Sequence, residues 1–263
     1  MNIITSRQNP KIKDLLKLQK SSERKKQGLF LIEGIREISR AIASGYEIPE
    51  LIICQELISN DHEIFHKIGS QTKISHVSKD VFNKIAYRED SGGILGISKV
   101  KSHSFSQLTI SSNPLFLVIE GVEKPGNIGA IFRSADAAGI DGIILCDPLA
   151  DIYNPNAIRA SLGTVFSVPT VITSTNEAIN YLNNNKIQIF STYLEASIPY
   201  HEADFRKPSA IIAGTEATGI TQEWINASKA NLIIPMRGIA DSLNVSVSTA
   251  IVLFEACRQR DFK

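Results

Sequence analysis

The sequence predicts an α/β protein whose second half is an open, mainly parallel sheet with helices on both faces. Short apolar runs alternate with helical patterns along the 263 residues. In the second half, runs such as 115–119 and 210–213 are continuously apolar, as in strands covered on both faces. Polar loops at 120–127, 214–219 and 235–244 follow such runs, at the strand ends where open parallel sheets bind ligands.

The first part of the chain, residues 1–100, is predicted to be a small α/β domain of its own. Apolar spacing and the positions of glycines predict helices at 11–27, 35–43 and 61–68 and strands at 29–32, 51–54 and 92–97. His62, His66 and His76 have no convincing metal or base partner in this pattern. A surface or satisfied core histidine is the better interpretation of each.

Residues 101–112 are rich in serine and lack regular periodicity, which is typical of a linker. The second domain is therefore predicted to span 113–263. Its predicted strands are 115–119, 142–145, 168–172, 187–192, 210–214 and 232–234, and its predicted helices are 128–138, 157–163, 175–184 and a last helix from 245. Asn127 stands where the cap of the first of these helices is expected.

Composition and charge limit the class of protein. With 43% hydrophobic and 21% charged residues, the chain has the composition of a soluble globular protein, and no apolar run has membrane-spanning length. The N-terminus lacks the apolar core of a signal peptide. Cys54, Cys146 and Cys257 have neither pairing nor metal spacing, so buried free thiols and a cytoplasmic location are expected, with no metal.

Charge is unevenly distributed along the chain. Residues 1–112 contain 17 Lys and Arg against 12 Asp and Glu, whereas residues 113–263 contain 11 against 15. Much of the excess lies early, and includes Arg7 and Lys11. Such a run is usually a solvated helix face, but a basic arm also attracts a polyanion.

The loop before the last helix carries Asp241, Ser242, Asn244 and Ser246. Ser242 or Asn244 could cap that helix, and capping needs only one of them, so a structural and a functional interpretation are equally open. The sequence lacks a GxGxxG after the first strand of this domain and a GxxxxGK[ST] anywhere, which disfavours a dinucleotide-binding or P-loop enzyme.

Three motifs together resemble the SpoU (TrmH) branch of the SPOUT methyltransferases. The first motif is 127–133, NIGAIFR; the second is 212–219, IAGTEATG; the third begins at 234 in IPMRGIADSLNVSVS. The region 1–100 is similar to the family's L30e-like substrate-binding domain through its SRQNP opening and the segment FLIEG at 30–34. The second motif departs from the family at Ala217, and the third at Ser248, each by one small residue for another.

The resemblance implies a C-terminal domain with a deep trefoil knot, an obligate homodimer and S-adenosylmethionine as cofactor. It implies that the cofactor is held mainly by backbone groups of the second and third motifs. The positions that match are Thr192, Gly214, Ile234 and Leu243.

The resemblance also implies an activity, the methylation of a ribose 2′-hydroxyl in RNA. By position it nominates Asn127, Arg133, Glu216, Ser242 and Asn244 as catalytic residues. Guanidinium does not readily lose its proton, so Arg133 is expected to clamp a phosphate and stabilise developing alkoxide charge. Arg159, in a family-like segment, is either an RNA contact or an ordinary exposed arginine.

The expected substrate is ribosomal RNA of the 23S type, because tRNA-modifying relatives commonly lack a separate N-terminal domain. Two alternatives stay open: tRNA as the substrate, or a knotted dimer that holds RNA without modifying it. The retained polar motif residues argue against the second alternative.

Overall fold

Helices and strands alternate throughout the computed structural model, which describes residues 3–58, 63–88, 92–195, 197–214 and 219–262. The helices are α1 Pro10–Lys17, α2 Ser21–Gln27, α3 Ile35–Ala43, α4 Glu63–Lys67, α5 Lys79–Ile85, α6 Pro125–Ala138, α7 Pro155–Ala160, α8 Thr175–Asn184, α9 Gln222–Ala227 and α10 Val245–Gln259. The strands are β1 Ile3–Ile4, β2 Leu29–Glu33, β3 Glu50–Ile53, β4 Lys73–Val77, β5 Ile94–Lys99, β6 Leu115–Glu120, β7 Gly142–Cys146, β8 Thr170–Thr173, β9 Gln188–Thr192, β10 Ile198–Pro199, β11 Ser209–Ala213 and β12 Ala230–Ile233.

Contacts divide the chain into two units. The first comprises Met1–Ser102 together with Asp151–Ser167, and the second comprises His103–Ala150 together with Val168–Lys263. The segment 151–167, which includes α7, therefore packs with the N-terminal unit although it lies between β7 and β8 in the chain.

The first unit contains a mixed sheet in the order β1-β4-β3-β5-β2, in which β5 pairs antiparallel with both β2 and β3. Segment 151–167 is held in this unit by a buried ion pair, from Arg24 Nε to Asp151 Oδ2 at 2.7 Å. Its Tyr153 ring stacks on Phe30 with centroids 4.1 Å apart, and the Tyr153 hydroxyl lies 3.3 Å from that of Tyr46. Aromatic burial and a satisfied buried charge thus anchor the segment.

The second unit contains a sheet in the order β10-β12-β9-β11-β6-β7-β8, and the pairings along it are parallel. Every residue of β6, β7 and β11 is buried, as expected for strands with both faces covered. The predicted fold class, a mainly parallel α/β domain after a small α/β domain, is confirmed. The trefoil knot stays a prediction.

Two helix predictions are wrong in detail. The predicted helix 11–27 is two helices, α1 and α2, because the chain turns at Leu18 and Gln19, whose carbonyls accept from buried Arg24 Nη1 at 2.9 Å each. Helix α6 begins at Pro125 rather than at 128, so Asn127 lies in its first turn and is not its cap. Proline favours the first helical position, so the helix begins at Pro125, before the predicted start.

The predicted last helix starts where expected. Asn244 is the N-cap of α10, and its side chain accepts from the backbone N–H of Ser246 at 3.0 Å. The three cysteines are buried free thiols, as predicted. None of the helices in the described ranges combines the length and apolar character that a membrane span requires.

Candidate active site

A cavity of about 340 Å³ opens at the carboxyl ends of β9, β11 and β12. The four residues predicted to bind the cofactor all line it: Thr192 ends β9, Gly214 follows β11, Ile234 follows β12, and Leu243 precedes α10. The sheet order places β9 between β11 and β12, so parallel pairing alone brings these strand ends together. The structure thus unites the four residues in one place.

Hydrogen bonding fixes the floor of this cavity. Thr192 Oγ1 donates to the carbonyl of Ile212 in β11 at 3.1 Å. This bond ties the end of one strand to its neighbour and orients the Thr192 side chain. The hydroxyl oxygen keeps acceptor capacity that it can offer to a ligand.

Gly214 is required by a close approach of the chain to itself. A Cβ at Gly214 would lie 2.0 Å from the carbonyl oxygen of Gly219 and 2.6 Å from the nitrogen of Ile220. Gly219 adopts φ +68°, a conformation that favours glycine. The two glycines therefore close the loop of the second motif. The predicted catalytic Glu216 belongs to this loop but lies outside the described residues.

The cavity lining suits a nucleoside with a charged tail. Ile234, Met236 and Leu243 give it apolar walls, and Asp241 and Ser242 add polar groups. Its volume is at the lower end of the roughly 300–1,000 Å³ typical of small-molecule sites, which also combine apolar walls with a few polar groups. The residues present thus fit S-adenosylmethionine. Of the five predicted catalytic residues, Ser242 is the described one that lines this cavity.

Two other predicted catalytic residues, Asn127 and Asn244, are hydrogen-bonded to each other. Asn244 Nδ2 donates to Asn127 Oδ1 at 3.2 Å, which joins the start of α10 to the first turn of α6. Residues 117 positions apart in the chain are therefore brought together by the packing of these two helices.

Arg133 lies two turns into α6 and is exposed. Among the described residues, its guanidinium makes no hydrogen bond or ion pair, and it does not line the cavity. Because the Arg133 guanidinium has no partner in the described part of the chain, it can bind an external anion there.

The three predicted RNA-binding residues belong to the first unit and differ in availability. Arg7 is exposed and pairs with Asp80. Lys11 is partly buried, pairs with Glu50 and donates to Ser75 Oγ at 2.8 Å. Arg159, at the end of α7, is exposed, and within the described part of the chain it has no ion pair.

One buried polar residue that the sequence did not single out supports the second motif from outside the cavity. Glu120 ends β6 and is 6% exposed. Its carboxylate accepts from Thr175 Oγ1 at 2.7 Å, from the Thr221 N–H at 2.7 Å and from Thr221 Oγ1 at 3.0 Å. Because Thr221 follows Gly219 and Ile220, Glu120 anchors the chain as it leaves the second motif. A glutamate ending a continuous apolar strand was the available signal.

A second, larger hollow of about 860 Å³ lies at the carboxyl ends of β6, β7 and β8. Its lining includes the carboxylates of Glu120, Glu123, Asp147 and Glu223. These negative charges repel phosphate groups, so we do not expect RNA to bind in this hollow. In the described ranges, no group of three or more His, Cys, Asp and Glu side chains is placed to hold a metal ion.

Residues 114–254 match the SpoU rRNA Methylase family, and residues 9–96 match the MRM3-like substrate binding domain. The chain belongs to the SpoU rRNA methylase family. This confirms the family that the three motifs indicated. Within it, the 23S rRNA (guanosine(2553)-2′-O)-methyltransferase RlmP of Bacillus subtilis (strain 168) is 31% identical over 97% of this chain and 98% of its own length.

Two further proteins that are similar to this chain bear on cofactor and substrate. An AdoMet-bound rRNA methyltransferase from Sinorhizobium meliloti superimposes with a TM-score of 0.90 at 29% identity, covering 98% of this chain and 97% of its own. The tRNA (guanosine(18)-2′-O)-methyltransferase of Escherichia coli (strain K12) is 37% identical, but the match covers 56% of this chain and 64% of that protein.

Proposed function

We propose that this SpoU-family chain transfers the methyl group of S-adenosylmethionine to a ribose 2′-hydroxyl of 23S-type ribosomal RNA. The observation that carries the proposal is one cavity lined by Thr192, Gly214, Ile234 and Leu243, where the end of β9 meets the strand ends of the second and third motifs. The match to the Bacillus subtilis rRNA enzyme over nearly the whole chain supports the reaction and the substrate class.

The residues that line the cavity would bind the cofactor. Ile234 and Leu243 would cover the adenine, and the backbone at Gly214 would approach it closely. Thr192 and Asp241 would meet the ribose and the amino acid part of the molecule. When bound, S-adenosylmethionine supplies an electrophilic methyl group on a sulfonium.

The chain's own task is to present the hydroxyl in line and stabilise its developing charge. Arg133 would clamp the phosphate next to the target ribose, since its fork matches a phosphate, and would stabilise the negative charge that develops on the oxygen. As the new carbon–oxygen bond forms, the sulfur–methyl bond would break to leave S-adenosylhomocysteine, and the hydroxyl proton would pass to solvent. The bonded pair Asn127 and Asn244 would position that ribose. Ser242, from the cavity wall, and Glu216, by its place in the second motif, would complete the polar network.

We also propose that the chain works as a homodimer in the cytoplasm. Val247, Ile251 and Phe254 recur at helical spacing on α10. Val247 and Phe254 are 47% and 39% exposed, which is unusual for apolar side chains on one helix face. A second copy of the same chain would cover them and add the residues of its own site.

Ribosomal RNA is favoured over tRNA because the tRNA enzyme matches little more than half of this chain. Arg159 is the strongest of the three proposed RNA contacts, because Arg7 and Lys11 already have carboxylate partners. A non-catalytic RNA-binding dimer is the alternative that an activity assay decides.

The test is methyl transfer from tritiated S-adenosylmethionine to rRNA extracted from a strain that lacks the protein, followed by digestion to nucleosides. Wild type should label a 2′-O-methyl nucleoside. Arg133→Ala should lower the rate about 100-fold or more, as expected for loss of a charge-stabilising group. The matched control is Arg206→Ala, an exposed arginine outside the cavity that pairs with Asp204.

The other outcomes are equally informative. Label in a base-methylated nucleoside would overturn the ribose assignment. No label on rRNA, ribosomal subunits or tRNA, despite binding of the cofactor, would establish the RNA-binding alternative.

A further inference from the structure

The segment 30–34, FLIEG, is a motif to which the proposed reaction gives no role. Its Glu33 ends β2, and its side chain is 10% exposed. The carboxylate accepts from the backbone N–H groups of Tyr87 at 2.6 Å and Arg88 at 3.1 Å, and from Arg88 Nε at 2.9 Å. Glu33 therefore holds the turn at 87–88 by three charge-assisted hydrogen bonds.

Gly34 leaves room for the Arg88 side chain beside Glu33. A Cβ at Gly34 would lie 2.7 Å from Arg88 Nη2, and the residue has φ +101°, so glycine is required there. Arg88 Nη2 donates to the carbonyl of Glu33 at 2.9 Å. The Arg88 guanidinium thus holds the turn through its bonds to Glu33, and the Glu33 carboxylate neutralises its charge.

The turn at 87–88 exposes an aromatic ring near a second arginine. Tyr87 is 51% exposed. It lines a small hollow together with Arg159, Leu31 and Pro155. Among the described residues, Arg159 has no ion pair. An exposed ring on a turn whose backbone is held, next to a guanidinium, is the combination that holds a base and its phosphate in single-stranded RNA.

We propose that Tyr87 and Arg159 form a subsite for one nucleotide of single-stranded RNA, with the base stacked on Tyr87 and a phosphate bound by Arg159. Glu33 and Gly34 act as positioning residues that hold the ring in place. The inference rests on the proposed function in one respect, that the substrate is RNA. It specifies a single-stranded stretch of that RNA as the part bound here.

The test is equilibrium binding of the full-length protein to a labelled single-stranded oligoribonucleotide of about 12 nucleotides, measured by fluorescence anisotropy. Tyr87→Ala should weaken binding roughly tenfold, the effect of losing one base stack. Tyr87→Phe, which keeps the ring, should stay within about twofold of wild type by the same argument. Phe262→Ala removes another exposed ring and should have no effect.

Arg159→Gln should weaken binding and reduce the slope of log Kd against log salt by about 0.7, the loss of one phosphate contact on a single strand. Lys207→Gln, which removes an exposed cation outside this hollow, should leave the slope unchanged. An RNA duplex should not distinguish Tyr87→Ala from wild type, since its bases are already stacked. An equal loss on the duplex would overturn base stacking at Tyr87.

Methyl transfer to rRNA by the same proteins separates the two proposals. Tyr87→Ala should raise KM for RNA and leave kcat and the melting temperature unchanged, because the ring is exposed. If wild type is active and Tyr87→Ala equals it in Kd and KM, the subsite is overturned and the proposed function stands. If wild type transfers no methyl group yet Tyr87→Ala weakens binding, the proposed function fails and the subsite stands. A wild type that does not bind the oligonucleotide also overturns the subsite.

Discussion

Asn244 joins two functions in one side chain: its Oδ1 accepts from the Ser246 N–H at 3.0 Å, and its Nδ2 donates to Asn127 Oδ1 at 3.2 Å. The first bond caps α10 and the second links the third motif to the first. Capping and positioning are therefore separable by chemistry, because a carboxylate can accept but cannot donate.

Asn244→Asp should keep the stability of the protein and lose activity. An aspartate caps as well as asparagine and favours a helix N-terminus, whereas Asn244→Ala should cost about 1 kcal/mol of unfolding free energy. We expect Asn244→Asp to slow methyl transfer at least tenfold at an unchanged urea midpoint. Full activity of Asn244→Asp would exclude a role for the bond to Asn127.

Gly214→Ala should damage the cofactor cavity. The added Cβ would lie 2.0 Å from the Gly219 carbonyl oxygen, so the loop of the second motif must move. We expect at least a tenfold weaker affinity for S-adenosylhomocysteine by titration calorimetry. Gly238→Ala is the matched control, because a Cβ there has no neighbour within 4 Å among the described residues. Equal affinities of the two variants would contradict the close approach.

Glu120→Gln should lower the free energy of unfolding by about 1–3 kcal/mol. The carboxylate now accepts hydrogen bonds from Thr175 and Thr221, and in the variant the amide nitrogen, which is itself a donor, would face some of these donors. Cofactor affinity should fall as well, since Glu120 anchors the chain after the second motif. Urea unfolding and calorimetry measure the two effects. Glu223→Gln, an exposed carboxylate of the same hollow, should change neither. A neutral Glu120→Gln would show that the anchor is dispensable.

The cysteines should resist alkylation in the folded protein. Burial raises the pKa of the Cys146 thiol, with Glu120 and Asp147 adding to the shift, and burial also raises the pKa of Cys257. A raised pKa leaves little thiolate at pH 8, and Cys54 is buried as well. Intact-mass analysis after iodoacetamide should find no adduct on the native chain and three after unfolding. Labelling of native Cys257 would contradict its burial.

Phe254→Lys should convert the proposed dimer to a monomer. A charge at position 254 of the apolar stripe on α10 would be buried unpaired in the dimer, yet it is tolerated on a free surface. Sedimentation equilibrium gives the mass. Phe262→Lys alters an exposed ring outside the stripe and should remain dimeric. A wild type that sediments as a monomer would refute the proposal.

The sequence predicted best those helices that end at a glycine or begin at a capping side chain. Gly139, with φ +64°, ends α6 directly after the predicted last residue 138, and Asn244 caps α10. The four cavity residues were indicated by the resemblance of the motifs to the family, and they lie together because parallel strands end at one edge of the sheet.

Other features depend on contacts that a local pattern does not contain. Strands β1 and β10 have two residues each, too few to show a period. The break between α1 and α2 depends on Arg24, which donates to carbonyls five and six residues earlier in the chain. Glu120 binds partners 55 and 101 residues away, so its role emerges only when the sheet is assembled.

The membership of segment 151–167 in the N-terminal unit bears on how such a protein can be cut and recombined. The chain passes between the two units three times, so a fragment ending at residue 102 is not an independent module. It would leave the guanidinium of Arg24 buried without Asp151, a loss on the order of 3–5 kcal/mol. A graft of this N-terminal unit onto another enzyme would therefore have to transfer two stretches of gene rather than one.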